Sequence, residues 1–331
     1  MLPVERRYNM KTILLSTSYN GKPCDIVGSF VSEGFRVVML DSVSQEELER
    51  KACLADYILA SGNLKINKKV LETAGNLRMV QRMGVGLDSL DLPALKERGI
   101  PVYVNRGVNS DSVAEHTLMF ILAALRRLPV INSNTKKGIW EKQEQGVTTR
   151  ELATQTVGIV GGGNIGRTVA KLLNGFGCRI LYYDVYRLPE EEEQRLHMEY
   201  SDLDGLFRQA DVITLHCPMT DDTRGAICAE NIAKMKDGVI LVNTSRGKLI
   251  SEEALLDALN SGKVGFAGLD VYCEEPLQNF TLVQHDHVMC TPHIAGNTYD
   301  SFHRMIEYAM RNIALYDQGR LAEIEEHRLK F

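Results

Sequence analysis

Short apolar runs alternate with amphipathic stretches along most of the chain, and they fall into two series. The first series predicts strands at residues 12–15, 37–40, 57–60, 79–82 and 102–104. The second predicts strands at residues 157–160, 180–183, 212–215, 239–242, 265–269 and 288–290. Strands that alternate with helical patterns are typical of parallel sheets. The pattern therefore predicts an α/β protein with two mainly parallel sheets.

Helical patterns fill the spaces between the predicted strands. Ser44, with a glutamate three residues later, forms a capping-box sequence that starts a helix over 44–53. A long helix is predicted over 111–127, between the two series of strands, and a last one over 299–316. The segment 132–150 is polar and only weakly periodic.

Composition and charge exclude several classes of protein. With 331 residues, the chain is too long for one ordinary core and suits two domains. The net charge of −5 and the pI near 6.0 give no electrostatic reason to expect binding to nucleic acid or to an anionic membrane. The longest apolar run, 118–125, is far shorter than the roughly 20 residues of a membrane-spanning helix. The four glutamates at 190–193 predict a solvated helix start.

The cysteines indicate a reducing compartment. Seven of them, at positions 24, 53, 178, 217, 228, 273 and 290, form an odd set without C-x-x-C spacing. This pattern argues against a disulfide framework and against a zinc site. The first residues contain no apolar signal core, so we expect a cytoplasmic protein without a bound metal.

A glycine-rich segment predicts a dinucleotide site. Gly161, Gly163 and Gly166 are spaced as G-x-G-x-x-G between an apolar strand and a helical pattern. The first glycine allows a tight turn, the second lets backbone approach a pyrophosphate, and the third lets helix pack on strand. The N–H groups of Asn164 and Ile165 would then face the phosphates at the positive end of a helix.

Asp184 indicates which dinucleotide is bound. It ends the next predicted strand, 18 positions after Gly166, where such sites place an acidic residue. Its carboxylate can accept a hydrogen bond from the ribose 2′-hydroxyl of NAD but would repel the 2′-phosphate of NADP. Arg187 lies three residues further on and could soften that repulsion. We therefore expect NAD as the cofactor.

An arginine, an acidic residue and a histidine follow in order, each where an apolar strand ends. Arg246 comes after the run 239–242, and a guanidinium there can hold a substrate carboxylate through two charge-assisted bonds. Among the eight histidines, His293 alone follows a strand, is preceded by proline and leads into Ala-Gly. Its imidazole is suited to exchange a proton with a hydroxyl or ketone oxygen. Either Glu274 or Glu275 could be its partner, and spacing does not decide between them.

With these residues in view, the chain resembles the D-isomer-specific 2-hydroxyacid dehydrogenases. The resemblance extends over nearly the whole chain. In that family the catalytic triad consists of the arginine of N-x-S-R-G, the glutamate directly before proline and the histidine of T-P-H. The resemblance therefore selects Arg246, Glu275 and His293. It implies an NAD-dependent oxidoreductase that moves a hydride between the cofactor and C2 of a 2-hydroxy or 2-oxo acid.

The resemblance also implies a discontinuous fold with two parallel-sheet domains, both of the Rossmann-like or flavodoxin-like type. Residues 1–110 and 298–331 would form the substrate domain, and residues 111–297 the NAD-binding Rossmann domain. A homodimer is expected, because the usual dimer contact of the family matches 132–150, which holds Trp140.

Further site residues are implied by the same resemblance. The backbone N–H groups of Val85 and Gly86 would receive the substrate carboxylate, and Ser61 would also contact the substrate. Asp270 would meet the nicotinamide carboxamide. The remaining two expected residues would line the cofactor cleft; they are Thr244 and Cys217.

One departure from the family bears on the substrate. Phosphoglycerate dehydrogenases have an arginine after the third strand, where this chain has Ala60. The chain also ends at Phe331, without room for a serine-binding regulatory domain. Both facts favour a 2-hydroxy acid with a small or uncharged tail. The alternatives are a short phosphoglycerate dehydrogenase and, from another class, an NAD-sensing corepressor that keeps the triad.

Overall fold

The computed structural model describes residues 10–62 and 64–330, and they form two compact units. The first unit combines the described residues of Met1–Asn109 and of Tyr299–Phe331, and the second is Ser110–Thr298. Each unit is built on one parallel sheet with helices between its strands. The predicted α/β class with two parallel sheets is therefore confirmed.

The first unit contains a five-stranded parallel sheet. Its strands are β1 (Lys11–Leu15), β2 (Phe35–Val38), β3 (Tyr57–Ala60), β4 (Met79–Arg82) and β5 (Val102–Val104). They lie in the order β2-β1-β3-β4-β5, which is the flavodoxin-like order. The direction of winding reverses between β1 and β3. The residues that follow these two strands therefore lie at the switch point of the sheet.

Helices cover both faces of this sheet. They are α1 (Lys22–Ser29), α2 (Gln45–Lys51), α3 (Lys68–Thr73), α4 (Leu92–Glu97) and, from the end of the chain, α13 (Tyr299–Asp317). Side chains alternate along each strand between two apolar clusters. Leu14 and Ile58 pack with α2 to α4, whereas Ile13 and Tyr57 pack with α1 and α13. Because both faces are covered, the strands read as continuous apolar runs.

The start of α2 differs from a regular capping box. The Ser44 hydroxyl accepts from the Glu47 N–H at 3.2 Å, as predicted. The Glu47 carboxylate, however, accepts from the N–H groups of Asp41 and Ser42 instead of that of Ser44. A hydrogen bond from the Ser42 hydroxyl, followed by these two backbone bonds, lowers the pKa of Glu47.

The second unit contains a seven-stranded parallel sheet. Its strands are β6 (Thr156–Val160), β7 (Arg179–Tyr183), β8 (Met198–Tyr200), β9 (Val212–Leu215), β10 (Val239–Asn243), β11 (Val264–Leu269) and β12 (Val288–Cys290). Their order is β12-β11-β10-β9-β6-β7-β8, the doubly wound order of dinucleotide-binding folds with one further strand. Its switch point lies between β6 and β9. The residues after these strands, and after β10 to β12, meet at the carboxyl edge of the sheet.

Eight helices of the described chain belong to this unit. They are α5 (Ser110–Leu125), α6 (Leu128–Lys136), α7 (Lys142–Thr148), α8 (Asn164–Asn174), α9 (Glu190–Leu196), α10 (Leu203–Gln209), α11 (Ala229–Lys234) and α12 (Glu252–Asn260). Helices α6 and α7 fall in and next to the polar segment 132–150, where the periodicity is weak. Strand β8, at the sheet edge, is not among the predicted strands.

The glutamate run that starts α9 is only partly solvated, which corrects one expectation. Glu193 is buried, and its carboxylate accepts from the Tyr182 hydroxyl at 2.5 Å. Arg187 donates to both carboxylate oxygens at 2.8 and 2.9 Å. These hydrogen bonds, that from Arg187 first, lower the pKa of Glu193 to about 2.

Candidate active site

The dinucleotide loop lies at the switch point of the second sheet. Gly161 follows β6 with φ of 108°, and a methyl group on it would lie 2.6 Å from the backbone N of Cys217. A methyl group on Gly166 would lie 2.0 Å from the carbonyl oxygen of Gly161. Both positions therefore require glycine, one for the turn and one for the packing of α8 on β6.

The middle of the loop leaves space for a ligand. A methyl group on Gly163 would meet no described protein atom within 4 Å. Helix α8 starts at Asn164, directly after Gly163, without a side-chain cap. The first N–H groups of a helix have no partner within the helix, and its N-terminus favours an anion. An open cradle beside these donors fits the pyrophosphate of a dinucleotide.

Asp184 is tied to the same loop. Its Oδ2 accepts from the Gly162 N–H at 2.7 Å, and its Oδ1 accepts from the Tyr186 N–H at 3.0 Å. Arg187 is engaged with the buried Glu193 through both carboxylate oxygens. The guanidinium charge is thus balanced by Glu193. Asp184 therefore presents a carboxylate beside the loop that Arg187 does not neutralise, and this favours a ribose hydroxyl over a phosphate.

The two other residues expected in the cofactor cleft lie at the same edge of the sheet. Cys217 follows β9, and burial raises the pKa of its thiol to about 11. Thr244 follows β10, and its hydroxyl lies 3.0 Å from that of Thr117 on α5. His216, between β9 and Cys217, has its pKa lowered to about 3 by burial, so it stays neutral.

Arg246 is presented by a short turn after β10. The Asn243 side chain donates to the Arg246 carbonyl oxygen at 2.8 Å, and its Oδ1 accepts from the Ser245 N–H at 3.0 Å. Gly247 then packs so closely that a methyl group there would lie 1.9 Å from the backbone of Tyr272. The glycine after the arginine therefore holds the Arg246 turn against the segment that leads to Glu275.

His293 and Glu275 form a direct pair. The His293 Nδ1 lies 2.6 Å from Glu275 Oε2, while Glu275 Oε1 accepts from the Tyr272 N–H at 3.0 Å. The hydrogen bond to Glu275 raises the pKa of His293 more than burial lowers it. Burial raises the pKa of Glu275, but the bonds from His293 and Tyr272 together lower it further. The pair thus favours imidazolium beside carboxylate.

Arg246 belongs to the same electrostatic cluster. Its positive charge lowers the pKa of Glu275 and opposes the rise in the pKa of His293. The structure therefore brings together the arginine, glutamate and histidine that lie far apart in sequence. Glu274, the alternative left open by spacing, is exposed and is not bonded to His293.

The loop that carries His293 is anchored by a buried carboxylate. Asp270 is 1% exposed, its Oδ1 accepts from the Ile294 N–H and its Oδ2 from the Ala295 N–H, each at 2.8 Å. The His293 N–H donates to the Asp270 carbonyl oxygen at 2.8 Å. His293 itself has φ of 55°, an uncommon conformation for a residue with a side chain. These bonds hold that conformation, and a contact of Asp270 with the carboxamide stays a prediction.

Thr291 extends the network to α5. Its hydroxyl donates to Asp270 Oδ1 at 2.5 Å and lies 3.0 Å from the His116 Nε2. Burial lowers the pKa of His116. Sequence reasoning missed the anchoring roles of Asp270, Thr291 and Tyr272. The one available signal was that these polar residues lie at strand ends beside the triad.

The substrate residues expected in the first unit lie at the edge of its own sheet. Ser61 follows β3, and its hydroxyl lies 3.2 Å from that of Tyr19. Val85 and Gly86 lie in the loop after β4. Within the described chain, their backbone N–H groups donate to no protein acceptor, as expected of an anion-binding turn.

Sequence and structure comparisons identify the family. The model of the D-isomer specific 2-hydroxyacid dehydrogenase NAD-binding domain matches residues 118–295. A hydroxypyruvate reductase of Thermotoga maritima is 40% identical over 271 residues, which are 81% of this chain and 87% of that protein. A D-3-phosphoglycerate dehydrogenase of Archaeoglobus fulgidus is 38% identical over 81% of this chain and 50% of its own length. The chain belongs to the D-isomer-specific 2-hydroxyacid dehydrogenases.

Solved structures agree with this assignment. A D-lactate dehydrogenase from Aquifex aeolicus, complexed with NAD and lactic acid, is 30% identical with a TM-score of 0.83. The alignment covers 96% of this chain and 99% of that one. The predictions of NAD as cofactor and of an oxidoreductase acting on the CH–OH group of 2-hydroxy acids are confirmed.

Three further observations concern membrane spans, metal ions and disulfide bonds. Among the described residues, no helix has both the length and the apolar character needed to span a membrane. The same residues include no group of three or more His, Cys, Asp or Glu side chains arranged to hold a metal ion. All seven cysteines are free thiols.

Proposed function

We propose that this enzyme reduces short 2-oxo acids with a small, uncharged tail, using NADH. The observation that supports this proposal most strongly is the 2.6 Å contact between His293 and Glu275, under the influence of the Arg246 charge. A raised histidine pKa keeps a proton available for a ketone oxygen, and a guanidinium attracts a carboxylate.

The proposed roles follow from the atoms that remain accessible. His293 Nδ1 is bonded to Glu275, so Nε2 is the atom that gives its proton to the carbonyl oxygen during reduction and takes it back during oxidation. The imidazole side chain is 48% exposed, which leaves Nε2 accessible to a substrate. Arg246 holds the carboxylate and stabilises the developing oxyanion. When bound, NAD(H) supplies or accepts the hydride.

Residues at both sheet edges are proposed to bind the ligands. In the unit 110–298, NAD would be held by the loop described above and by the residues after β7, β9, β10 and β11; these are Gly161, Gly163, Asn164, Ile165, Gly166, Asp184, Cys217, Thr244 and Asp270. In the other unit, Val85, Gly86 and Ser61 would bind the substrate. The unbonded N–H groups of the first two support this assignment.

A small uncharged tail is supported by the surroundings of β3. Ala60 is buried in the core, so no charge is presented from that position. The nearby Arg82 donates to the carbonyl oxygens of Gly86, Ala60 and Gly62 at 2.9 to 3.2 Å. Its guanidinium is therefore already engaged by backbone. A phosphoglycerate dehydrogenase activity remains the second candidate, because relatives of that name match the chain.

A panel of 2-oxo acids with NADH tests the substrate. Hydroxypyruvate, glyoxylate, pyruvate, 2-oxoisocaproate, phenylpyruvate and phosphohydroxypyruvate differ only in the tail. We expect kcat/KM to be highest with one of the first three. The highest kcat/KM with phosphohydroxypyruvate would contradict the proposed substrate class. If no acid led to NADH oxidation, the proposed catalysis would be contradicted and an NAD-sensing role would be favoured instead.

Arg246 can be tested in the same assay. Arg246→Ala is expected to raise KM for the 2-oxo acid and to lower kcat, because the charge acts on bound substrate and on the transition state. Arg246→Lys should restore only part of the activity, since an ammonium lacks the planar fork. If Arg246→Ala weakened NADH binding and left the kinetics with 2-oxo acids unchanged, the proposed role would be wrong.

A homodimer and a cytoplasmic location also stay proposals. Trp140 is 81% exposed, and Ile139 and Val147 nearby are exposed as well. Exposed apolar residues in one segment are typical of a protein contact. Sedimentation of Trp140→Glu beside the unmodified protein would test the dimer, because a charge at the contact should shift the chain toward monomer.

A further inference from the structure

A surface cavity of about 460 Å³ lies at the amino edge of the second sheet, where β6, β9, β10 and β11 begin. The candidate catalytic residues lie at the opposite, carboxyl edge. Arg127 and Arg150 line the cavity, together with Lys236 and the residues that start β10 and β11. Its volume falls in the range of small-molecule sites. Nothing in the proposed reaction uses this cavity.

The two arginines carry charges that the protein does not neutralise. Within residues 10–62 and 64–330, neither guanidinium has a hydrogen bond or an ion pair. Each aspartate of the cavity is already paired with a lysine, since Asp211 accepts from Lys236 at 2.7 Å and Asp237 from Lys263 at 2.8 Å. Arg150 is exposed, but Arg127 is half-buried, and a half-buried arginine without an anion is unusual because buried charges are generally paired.

Arg127 is also held in an uncommon backbone conformation. Its φ is 50° and its ψ 34°, in the left-handed region that residues with side chains rarely adopt. It is the second residue after the end of α5, where a positive charge is favoured by the helix dipole. That effect would be met equally by its neighbour Arg126, which is exposed and does not line the cavity. The helix dipole therefore does not explain why Arg127 lines the cavity.

We propose that this cavity is a second anion site, which binds the phosphate group of a small metabolite through Arg127 and Arg150. Two planar guanidinium groups match the oxygen geometry of a phosphate, and each can form paired charge-assisted bonds. Lys236 adds positive charge at the rim but stays paired with Asp211.

Phosphate binding to the NADH-loaded protein tests the proposal. The two ligands are inorganic phosphate, a free anion, and glycerol 2-phosphate, a phosphate ester, and glycerol is the uncharged control. Binding is measured by calorimetry at constant ionic strength, because salt screens such charges. We expect one site for phosphate or its ester, with affinity at least tenfold weaker in Arg127→Gln and in Arg150→Gln. The matched variant Arg126→Gln should bind as the unmodified protein does, and so should Arg246→Ala, which removes the anion site of the catalytic edge.

His287 offers a second readout that does not depend on activity. Burial, His285 and Arg127 lower the pKa of His287, in that order, while Asp286 raises it. A phosphate bound to Arg127 offsets its charge, so the pKa of His287 followed by NMR should rise on adding phosphate, and should not respond in Arg127→Gln. Unchanged phosphate affinity in Arg127→Gln and Arg150→Gln, equal loss in Arg126→Gln, or no binding to the loaded protein would each overturn the proposal.

Discussion

The switch points of the two sheets have the same topology but opposite local structure. In the first sheet, the Ser16 hydroxyl after β1 donates to the Ser61 carbonyl oxygen and accepts from the Ser61 N–H, both at 2.8 Å. In the second sheet, the corresponding strand leads to Gly161 and Gly163, and a methyl group at Gly163 would meet only open space. Side chains close one switch point, whereas glycines keep the other open.

This difference shows what the parallel fold supplies and what it leaves to individual residues. Both sheets direct their strand ends to one edge, as doubly wound folds do. Only the second combines an open turn, a helix N-terminus and an acidic residue beside it. A binding site thus depends on local residues placed on a common scaffold.

The largest effect on activity is expected at the carboxyl edge of the second sheet, from loss of the proton donor. His293→Ala should lower kcat with a 2-oxo acid by about 100-fold or more, the usual scale for a lost general acid. His303→Ala, in α13 of the first unit, provides the matched control and should keep its activity. Steady-state kinetics with NADH measures both. Equal losses in the two variants would mean that His293 acts through stability alone.

Distorting the glycine turn at the open switch point should abolish most of the cofactor affinity. Gly161→Ala places a methyl group 2.6 Å from backbone atoms in a strained conformation, so the Kd for NADH should rise at least tenfold. Gly177→Ala has a similar positive φ of 71° but no atom within 4 Å of the added methyl. It controls for strain and should bind NADH normally. Fluorescence titration with NADH measures the Kd of both variants. A similar Kd in the two would contradict the proposed role of the Gly161 turn.

The acidic residue beside the open turn should control cofactor choice. We expect kcat/KM with NADH to exceed that with NADPH by more than tenfold, and Asp184→Ala should narrow the ratio because the repelling charge is removed. Arg187 should not change this, since Glu193 already balances it. Equal use of both cofactors by the unmodified enzyme would rule out this role of Asp184.

The charge of Glu275 should move the pH profile without abolishing activity. Reduction needs protonated His293, so activity falls as pH rises through a pKa that Glu275 holds above its ordinary value. Glu275→Gln removes the charge, and the alkaline limb should therefore shift to lower pH. For oxidation, where neutral histidine is the base, the acidic limb should shift the same way. Glu274→Gln is the exposed neighbouring control, and a Glu275→Gln profile that matches it would reject the pairing.

The sequence predicted the strands well because apolar runs buried on both faces are unambiguous. The bounds of β3, β4, β5, β9 and β12 agree exactly with the predicted ranges. Strand β8 was missed because Met198-Glu199-Tyr200 is short, lies at an edge and is partly exposed. Helices α6 and α7 were missed because they have no buried residue, so no apolar stripe marks them.

Sequence motifs were enough to name the three triad residues, but they did not predict the hydrogen bonds and packing that hold these residues in place. Asp270 is bonded to backbone N–H groups 24 and 25 residues later, and such contacts leave no pattern in the sequence. The close approach of Gly247 to Tyr272 depends in the same way on the folded path of two turns. The glutamate run alone predicts a solvated Glu193, because its partners Tyr182 and Arg187 lie outside α9 and no helical spacing pairs them with it.

The smallest effect is expected at the closed switch point. Ser16→Ala removes the hydroxyl that bonds Ser61 twice, and it leaves the N–H and carbonyl of the half-buried Ser61 without that partner. We expect a loss of about 1–2 kcal/mol in the free energy of unfolding. The Kd for NADH should stay unchanged, since this edge is not proposed to bind the dinucleotide. Ser29→Ala, an exposed hydroxyl at the end of α1, is the matched control and should cost less. Urea denaturation beside NADH titration measures both quantities. A rise in the NADH Kd of Ser16→Ala without loss of stability would mean that the first switch point also contributes to cofactor binding.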